Sequence, residues 1–150
     1  MDVRPFSNDD MAGCLAAFDS NVPEFFDPSE RAEFEEFLAE GPWPYVVMEN
    51  DGAILGCGGW DLEDGGKLAS LTWGMVRSEL HRQGLGRFLL LYRLREVAKI
   101  SGVERVRIDT SQQTAEFFRK QGFKVLSIEK DGYAPGLDRI EMAMKLAVCP

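Results

Sequence analysis

Histidine and cysteine, from which most metal sites and many nucleophilic enzymes are built, are scarce in this chain of 150 residues. It has one histidine, His81, and three cysteines, Cys14, Cys57 and Cys149, without CxxC spacing. Such a set favours neither a disulfide framework nor a zinc site. Cys14 and Cys57 lie among apolar or small residues, as packed core thiols do. We therefore expect no metal site and no cysteine–histidine catalysis.

Long hydrophobic stretches are also missing. No apolar run approaches the roughly 20 residues that a membrane-spanning helix needs. The first residues, MDVRPFSNDD, contain neither the basic nor the apolar segment of a signal peptide. The hydrophobic fraction of 45% is that of an ordinary globular chain. We expect a cytoplasmic protein with no membrane association, folded as one domain over residues 1–150.

Basic residues are nearly absent from the first 66 positions. Arg4 and Arg31 stand there against sixteen acidic residues, whereas residues 67–150 hold fifteen basic and nine acidic ones. The acidic part repels nucleic acid and anionic membranes, so neither is an expected partner. The basic part suits an anionic cofactor, although ordinary solvated surface charge would give the same counts.

The most informative stretch that the chain does contain is residues 71–100. An apolar segment ends at Val76, a polar turn follows, and Gly84-Leu85-Gly86 opens a helical pattern. The start of a helix presents unpaired backbone N–H groups at the positive end of the helix dipole, which favours a phosphate. Glycine lets a ligand approach the backbone, and Arg82 and Arg87 add positive charge. An anion site is narrowly favoured over a turn whose glycines serve geometry alone.

Hydrophobic periodicity and helix-boundary residues predict eleven elements in the order β α α β β β α β α β β. Ser7 with Asp10, and Asp27 with Glu30, are typical of capped helix starts. A meander followed by a β-α-β unit predicts an α/β (α+β) fold with a mixed, mostly antiparallel sheet of about seven strands and four flanking helices. The predicted strands are 1–6, two within 43–62, 68–76, 103–110, 123–130 and 139–146, and the last two helices are 84–100 and 111–121.

This order, with a glycine turn after the fourth strand, resembles the GNAT superfamily of acyl-CoA-dependent N-acetyltransferases. The family signature Gln/Arg-x-x-Gly-x-Gly/Ala follows a strand ending in Val-x-Pro, and MVRSELHRQGLGR matches it at Val76, Gly84 and Gly86. A later family helix reads Asn-x-x-Ala-x-x-Tyr and closes with Gly-Phe. QQTAEFFRKQGF matches that helix at Ala115 and Gly122-Phe123. The resemblance covers nearly the whole chain.

Four positions depart from the family pattern. His81 replaces the usual Gln/Arg, Ser78 the proline and Gln112 the asparagine, while Phe118 replaces a tyrosine that often serves as general acid. Phe118 cannot protonate a thiolate. Either another group does so, or the thiolate leaves unassisted, which a thiol pKa of about 8.5 makes tolerable.

The resemblance implies direct transfer of an acetyl group from acetyl-CoA to an amine, without a covalent enzyme intermediate. The pyrophosphate would bind the backbone N–H groups of residues 82–87, and the pantetheine would lie along the strand edge at 74–76, where an N–H would polarise the thioester carbonyl. The implied cofactor-binding residues are Gly74, Met75, Val76, His81, Arg82, Gln83, Gly84, Leu85, Gly86, Arg87, Gln112 and Phe118.

The acceptor side is less well marked. In the family, the segment between the first two helices walls the acceptor pocket, and its acidic and aromatic residues would suit a cationic acceptor. The candidate substrate-binding residues are Phe25, Phe26, Asp27, Trp60 and Trp73. Tyr133 as acid and Glu24 are the candidate catalytic residues. Core packing is the commoner role for two such phenylalanines. Contact with Pro135 would equally account for Tyr133.

Two other functions remain open from the sequence. The same fold could hold acyl-CoA as a non-catalytic sensor or interaction module, which Phe118 favours. A nucleotide-binding domain is disfavoured because Leu89 stands where GxGxxG needs a glycine, and no Walker lysine follows. The expected partner is a small-molecule or peptide amine, and the chain is expected to be a monomer or a homodimer.

Overall fold

The computed structural model describes residues 1–146, and within them seven strands and four α-helices follow in the predicted order. Cys149 lies outside the described residues. The strands are β1 (Asp2–Pro5), β2 (Tyr45–Asn50), β3 (Ala53–Glu63), β4 (Leu68–Val76), β5 (Arg105–Thr110), β6 (Lys124–Ala134) and β7 (Leu137–Lys145). The helices are α1 (Met11–Ser20), α2 (Arg31–Ala39), α3 (Leu85–Ala98) and α4 (Ala115–Lys120).

The strands form one mixed sheet in the order β1-β2-β3-β4-β5-β7-β6. β4 and β5 are parallel, whereas β1 with β2, β2 with β3, β5 with β7 and β6 with β7 are antiparallel. The β2–β3 turn places Asp51 and Gly52 at φ 50° and 82°, as a tight hairpin with left-handed residues requires. The predicted fold class is therefore confirmed.

The described residues group into two compact units, 1–60 with 72–93, and 61–71 with the described residues from 94 onward. In the first unit, alternate residues of β2 enter two different hydrophobic clusters, one on each face of the strand. Tyr45 and Val47 pack with residues of α1 and α2, and Val46 and Met48 pack with Leu89 of α3.

α3 packs against the sheet through one face. Its apolar pattern predicts a helix packed on a sheet rather than lying on the surface, and Leu89 belongs to the hydrophobic cluster on one face of β2. The buried stripe consists of Leu89, Leu90, Val97 and a charged residue, Arg93, which is 3% exposed. The Phe88 and Leu91 side chains, which belong to the same apolar pattern, are 44% and 38% exposed, so the opposite face of the helix is open.

The connection between the last two strands is shorter than predicted. Residues 131–138 were expected to form it, but β6 continues to Ala134 and β7 begins at Leu137. Asp131 adopts φ 56° and the strand register shifts between Glu129 and Ala134, so the strand continues through the Asp-Gly pair. At the sheet edge, β6 exposes Val125, Leu126 and Ile128.

Both predicted capped helix starts are present. The Ser7 N–H donates to the Asp10 carboxylate at 2.9 Å, and the Asp27 N–H donates to the Glu30 carboxylate at 2.9 Å. Asp10 is 5% exposed and also accepts two hydrogen bonds from Arg4, of 2.7 and 2.8 Å. These bonds from Arg4 hold the pKa of Asp10 below its usual value, against the opposing effect of burial.

Replacing Asp10 with Asn should lower the free energy of unfolding by about 2 kcal/mol near neutral pH, because the charged pair with Arg4 is lost. The lowered pKa means that the carboxylate stabilises the fold above the usual aspartate range, and that this contribution disappears as the pH falls through the folded-state pKa. Urea denaturation of the wild type and Asp10→Asn should therefore give a difference that shrinks between about pH 7 and about pH 3. Exposed Asp9→Asn is the control and should show no such change. An equal difference at both pH values would contradict the assignment.

Candidate functional site

The last residues of β4 have an irregular backbone that is fixed by side chains. Trp73 adopts φ 36°, and its carbonyl accepts a hydrogen bond of 2.7 Å from the Tyr45 hydroxyl. The Val76 carbonyl accepts two, from Asn21 Nδ2 and His81 Nε2, each of 2.9 Å. Gly74 is exposed between them, whereas Met75 and Val76 are buried. This end of the strand therefore keeps one defined shape.

The loop after β4 forms the predicted concave turn. A 3₁₀ helix (Ser78–Leu80) is followed by Arg82 at φ 65° and Gly84 at φ 86°. The first bond of α3 runs from the Phe88 N–H to the Gly84 carbonyl, at 3.0 Å. In the described part of the chain, no carbonyl accepts from the N–H groups of residues 82–87. Successive N–H groups that alternate in backbone hand make an anion-binding concavity.

The side chains around this loop add positive charge. Arg82 and Arg87 are exposed, and within residues 1–146 neither forms an ion pair. Gln83 and Gly86 are exposed too, and Leu85 is anchored by packing beside Val76 and Leu89. Free donors, exposed glycine and two unpaired guanidinium groups together fit a diphosphate group.

His81 supports the loop. Its Nε2–H donates to the Val76 carbonyl, so in the neutral ring the proton is on Nε2 and the lone pair is on Nδ1. The edge of the ring meets Phe25, with the centroids 4.9 Å apart. A further contact joins the loop to the end of α1, where Ser20 Oγ accepts a hydrogen bond of 3.0 Å from the Ser78 N–H. The end of α1 and the segment after it thus hold the loop in place.

The predicted aromatic residues occupy three places. Phe26 and Trp73 belong to one ring cluster, in which Phe26 stacks on Phe18 at 4.8 Å and Trp73 lies 5.0 Å from Phe34. Phe25 lies apart from that cluster, against His81. Trp60 is 7% exposed. Because side chains alternate along a strand, it lies on the face of β3 that α3 covers, whereas Trp73 packs on the other face of the sheet.

The two predicted acidic residues differ in their surroundings. Glu24 is exposed in the segment between α1 and α2. Asp27 accepts hydrogen bonds from the Ser29 hydroxyl and from the Ser29 N–H, the latter at 2.9 Å. Both bonds lower the pKa of Asp27. Asp27 therefore begins the helical turn before α2, and Glu24 has the freer carboxylate.

The remaining predicted residues lie in the second unit. Gln112 uses both ends of its amide on the β6–β7 turn, donating to the Gly136 carbonyl at 2.6 Å and accepting from the Asp138 N–H at 2.8 Å. Phe118 is 9% exposed and packs edge-on against Phe117 and Phe123. Tyr133 is half-buried near the end of β6, one residue before that strand stops.

Sequence reasoning missed Arg93. Its guanidinium lies against two glycines, because a Cβ on Gly74 would fall 2.6 Å from Nη2 and a Cβ on Gly58 would fall 3.3 Å from Cζ. Glycines at positions 56, 58 and 59 of a strand indicate either a bulge or a group close to the backbone, and at Gly58 the structure shows the second. The approaching group could not be identified from the sequence, because the polar residue stands inside an apolar helical pattern.

Residues 1–146 contain no group of three or more His, Cys, Asp or Glu side chains arranged to hold a metal ion. None of their helices combines the length and apolar character needed to cross a membrane.

Comparison with known structures shows the same fold in acetyltransferases. An aminoglycoside 6'-N-acetyltransferase in complex with coenzyme A is 18% identical with a TM-score of 0.77, covering 100% of this chain and 99% of that one. A ribosomal-protein-alanine N-acetyltransferase from Brucella melitensis is 20% identical with a TM-score of 0.72, covering 97% and 100%. The aminoglycoside 6'-N-acetyltransferase from Enterococcus faecium is 18% identical with a TM-score of 0.74, covering 100% and 99%.

At these low sequence identities, the structural similarity establishes the fold and does not identify the substrate. A search of curated protein sequences found no match. The family comparison is decisive, because the model described as "Acetyltransferase (GNAT) domain" matches residues 14–146. The chain belongs to the GNAT family of acetyltransferases.

Proposed function

We propose that residues 1–150 act as one N-acetyltransferase domain that moves an acetyl group from acetyl-CoA directly to a primary amine of a small molecule or peptide. The observation that carries the proposal is the loop of residues 82–87, whose N–H groups have no backbone carbonyl partner within the described chain. Family membership supports the reaction class. A cytoplasmic location, and a monomer or homodimer, remain predictions from the sequence.

The loop would bind the pyrophosphate of acetyl-CoA through backbone N–H groups, with Arg82 and Arg87 as counter-charges. Backbone donors require no particular side chain at position 81. His81 instead holds the Val76 carbonyl, so it would support the cofactor site from within the loop.

The exposed backbone at Gly74 would receive the thioester end of the cofactor. An N–H of residues 74–76 would polarise the thioester carbonyl, which becomes more negative as the amine attacks. The bonds from Tyr45, Asn21 and His81 fix this segment before any ligand binds, so that little reorganisation accompanies the reaction.

Two structural neighbours are named for acetylating nitrogen, one on an aminoglycoside and one on a ribosomal-protein alanine. Here the segment between α1 and α2 would face the amine, with Phe25 and the exposed carboxylate of Glu24. The attacking amine must lose a proton and the departing thiolate must gain one. We assign these transfers to Glu24, directly or through water, and to Tyr133.

Calorimetric titration with acetyl-CoA, combined with thiol release against a panel of primary amines, tests the proposal. We expect saturable binding of acetyl-CoA, with turnover on at least one amine, because the family to which the chain belongs consists of acetyltransferases. Binding without turnover across small amines and peptide N-termini would favour the non-catalytic module. Absence of binding would refute the assignment of the loop.

Gly84→Ala should weaken acetyl-CoA binding by about tenfold or more, because an alanine in the left-handed region is strained and its Cβ projects where the ligand approaches. Gly52→Ala is the matched control. Gly52 has a similar φ of 82°, against 86° for Gly84, and a Cβ on either would meet no atom within 4 Å. Both variants should lose similar thermal stability, and only Gly84→Ala should lose affinity in calorimetry. Equal affinities would contradict ligand contact at Gly84.

Glu24→Gln and Tyr133→Phe should each lower kcat by about tenfold or more, because each removes a group that transfers a proton. The Kd for acetyl-CoA should stay unchanged in both. Glu40→Gln is the control, since it removes an exposed acidic charge from the same acidic part of the chain. An unchanged kcat in either variant would remove that residue from the mechanism.

A further inference from the structure

Arg93 is a buried cation that has no anionic partner within residues 1–146. Its side chain is 3% exposed, Nη1 donates to the Gly59 carbonyl at a long 3.4 Å, and Nε has no partner among the described residues. The groups that favour its charge are Tyr45 and Cys57, neither of which is a carboxylate. An unpaired buried charge destabilises the fold, so its presence calls for an explanation.

The guanidinium reaches the part of β4 that is open to ligand. Nη2 lies so close to Gly74 that a Cβ there would clash with it at 2.6 Å, and Cζ lies less closely against Gly58, 3.3 Å from where a Cβ would be. Gly74 is itself exposed. The absence of side chains at both glycines therefore lets Arg93 lie behind the backbone edge to which the thioester is assigned.

Trp60 supplies a second, independent sign of an incomplete site. Its indole N–H is buried and has no partner within the described residues. Trp60 follows Gly58 by two positions on β3, so its side chain is on the same face of the strand as Arg93. Two unpaired donors on one face favour a ligand that accepts hydrogen bonds.

We propose that Arg93 binds the sulfur of coenzyme A and stabilises the thiolate that departs during acyl transfer. The proposal rests on the function proposed above. The amine nitrogen forms the new C–N bond with its lone pair, and the C–S bond breaks with its electron pair leaving on sulfur. The proton lost by the amine goes to Glu24 or water. Arg93 keeps its own protons, and Tyr133 protonates the sulfur after departure and regains its proton from solvent.

A thiolate fits this place better than a permanently charged group. The reaction creates one negative charge on sulfur, and Phe118 has no hydroxyl with which to neutralise it. Burial lowers the pKa of Arg93 to about 10, which leaves it protonated at neutral pH and above the pKa of an ordinary thiol, about 8.5. A buried cation also attracts a nearby anion more strongly than a solvent-exposed cation does.

The test is a pH titration of the coenzyme A thiol in its complex with the full chain, followed by the ultraviolet absorbance of the thiolate. Arg93→Gln removes the charge and keeps donors, Arg93→Lys keeps the charge, and Arg95→Gln makes the same charge change at an exposed position two residues on. Tyr45 and Cys57 are present in every variant, and the pKa of Tyr45 is raised well above its usual value by burial. The titration of the ligand-free protein is subtracted.

We expect the bound thiol to ionise at a pH lower by about one unit or more in the wild type than in Arg93→Gln, with Arg93→Lys intermediate and Arg95→Gln unchanged. The affinity for desulfo-coenzyme A, which lacks the sulfur, should be the same in all four proteins. Thermal unfolding checks that each variant folds. If Arg93→Gln does not fold, Arg93→Lys still allows the comparison with the wild type.

Identical thiol titrations in the folded variants would overturn the role of Arg93 while leaving acetyl-CoA binding intact. An unchanged titration with a raised KM for carboxylate-bearing amines would also overturn it, in favour of an acceptor carboxylate at Arg93. If the wild type does not bind coenzyme A at all, the proposed function fails, and this inference fails with it.

Discussion

The site depends on how the end of β4 is held. A strand that departs from regular geometry at Trp73 can no longer satisfy its carbonyls through a continuous ladder, and an unsatisfied buried carbonyl costs about 1–3 kcal/mol. Here the Tyr45 hydroxyl, the Asn21 amide and the His81 ring satisfy two of these carbonyls from three separate elements. The backbone at Gly74 is thereby left exposed without being loose, and the following loop starts from a fixed point.

Two kinds of positive charge lie near the end of β4, and their physical properties differ. Arg82 and Arg87 are solvated, so their attraction for an anion is screened by salt and acts mainly in recruiting it. Arg93 is almost fully desolvated, so its attraction is short in range and strong. An extended anionic cofactor would be met by both, the solvated charges at its phosphates and the buried charge at its sulfur.

Local signals were sufficient for much of the fold. The caps at Asp10 and Glu30 and the Gly84 turn each require a particular residue at a particular backbone geometry, and all three were predicted correctly. The β6 end was not, because the Asp-Gly pair at 131–132 usually marks a turn, whereas here it forms an irregularity within a strand. That distinction depends on pairing with β7, which local sequence does not record.

Much of the candidate site was harder to predict from the sequence, because its contacts also join residues that are far apart in the chain. Gln112 was placed by its motif position, yet its amide is engaged by backbone groups 24 and 26 residues away. Arg93 interrupts an apolar pattern and reads as a solvent-facing residue until its two glycine neighbours are known. The cofactor loop was readable because it is continuous in sequence, whereas the remaining contacts join residues from distant strands and helices.

The contacts between the end of α1 and the loop after β4 have an evolutionary consequence. Ser20 and Asn21 bond to Ser78 and Val76, and Phe25 packs on His81, so the segment assigned to the acceptor is built into the support of the cofactor loop. Under the proposed function, acceptor preference would therefore not be separable from the cofactor site. Grafting a foreign segment between α1 and α2 would remove part of the cofactor scaffold, so new specificity would have to arise through residues that leave these three contacts in place.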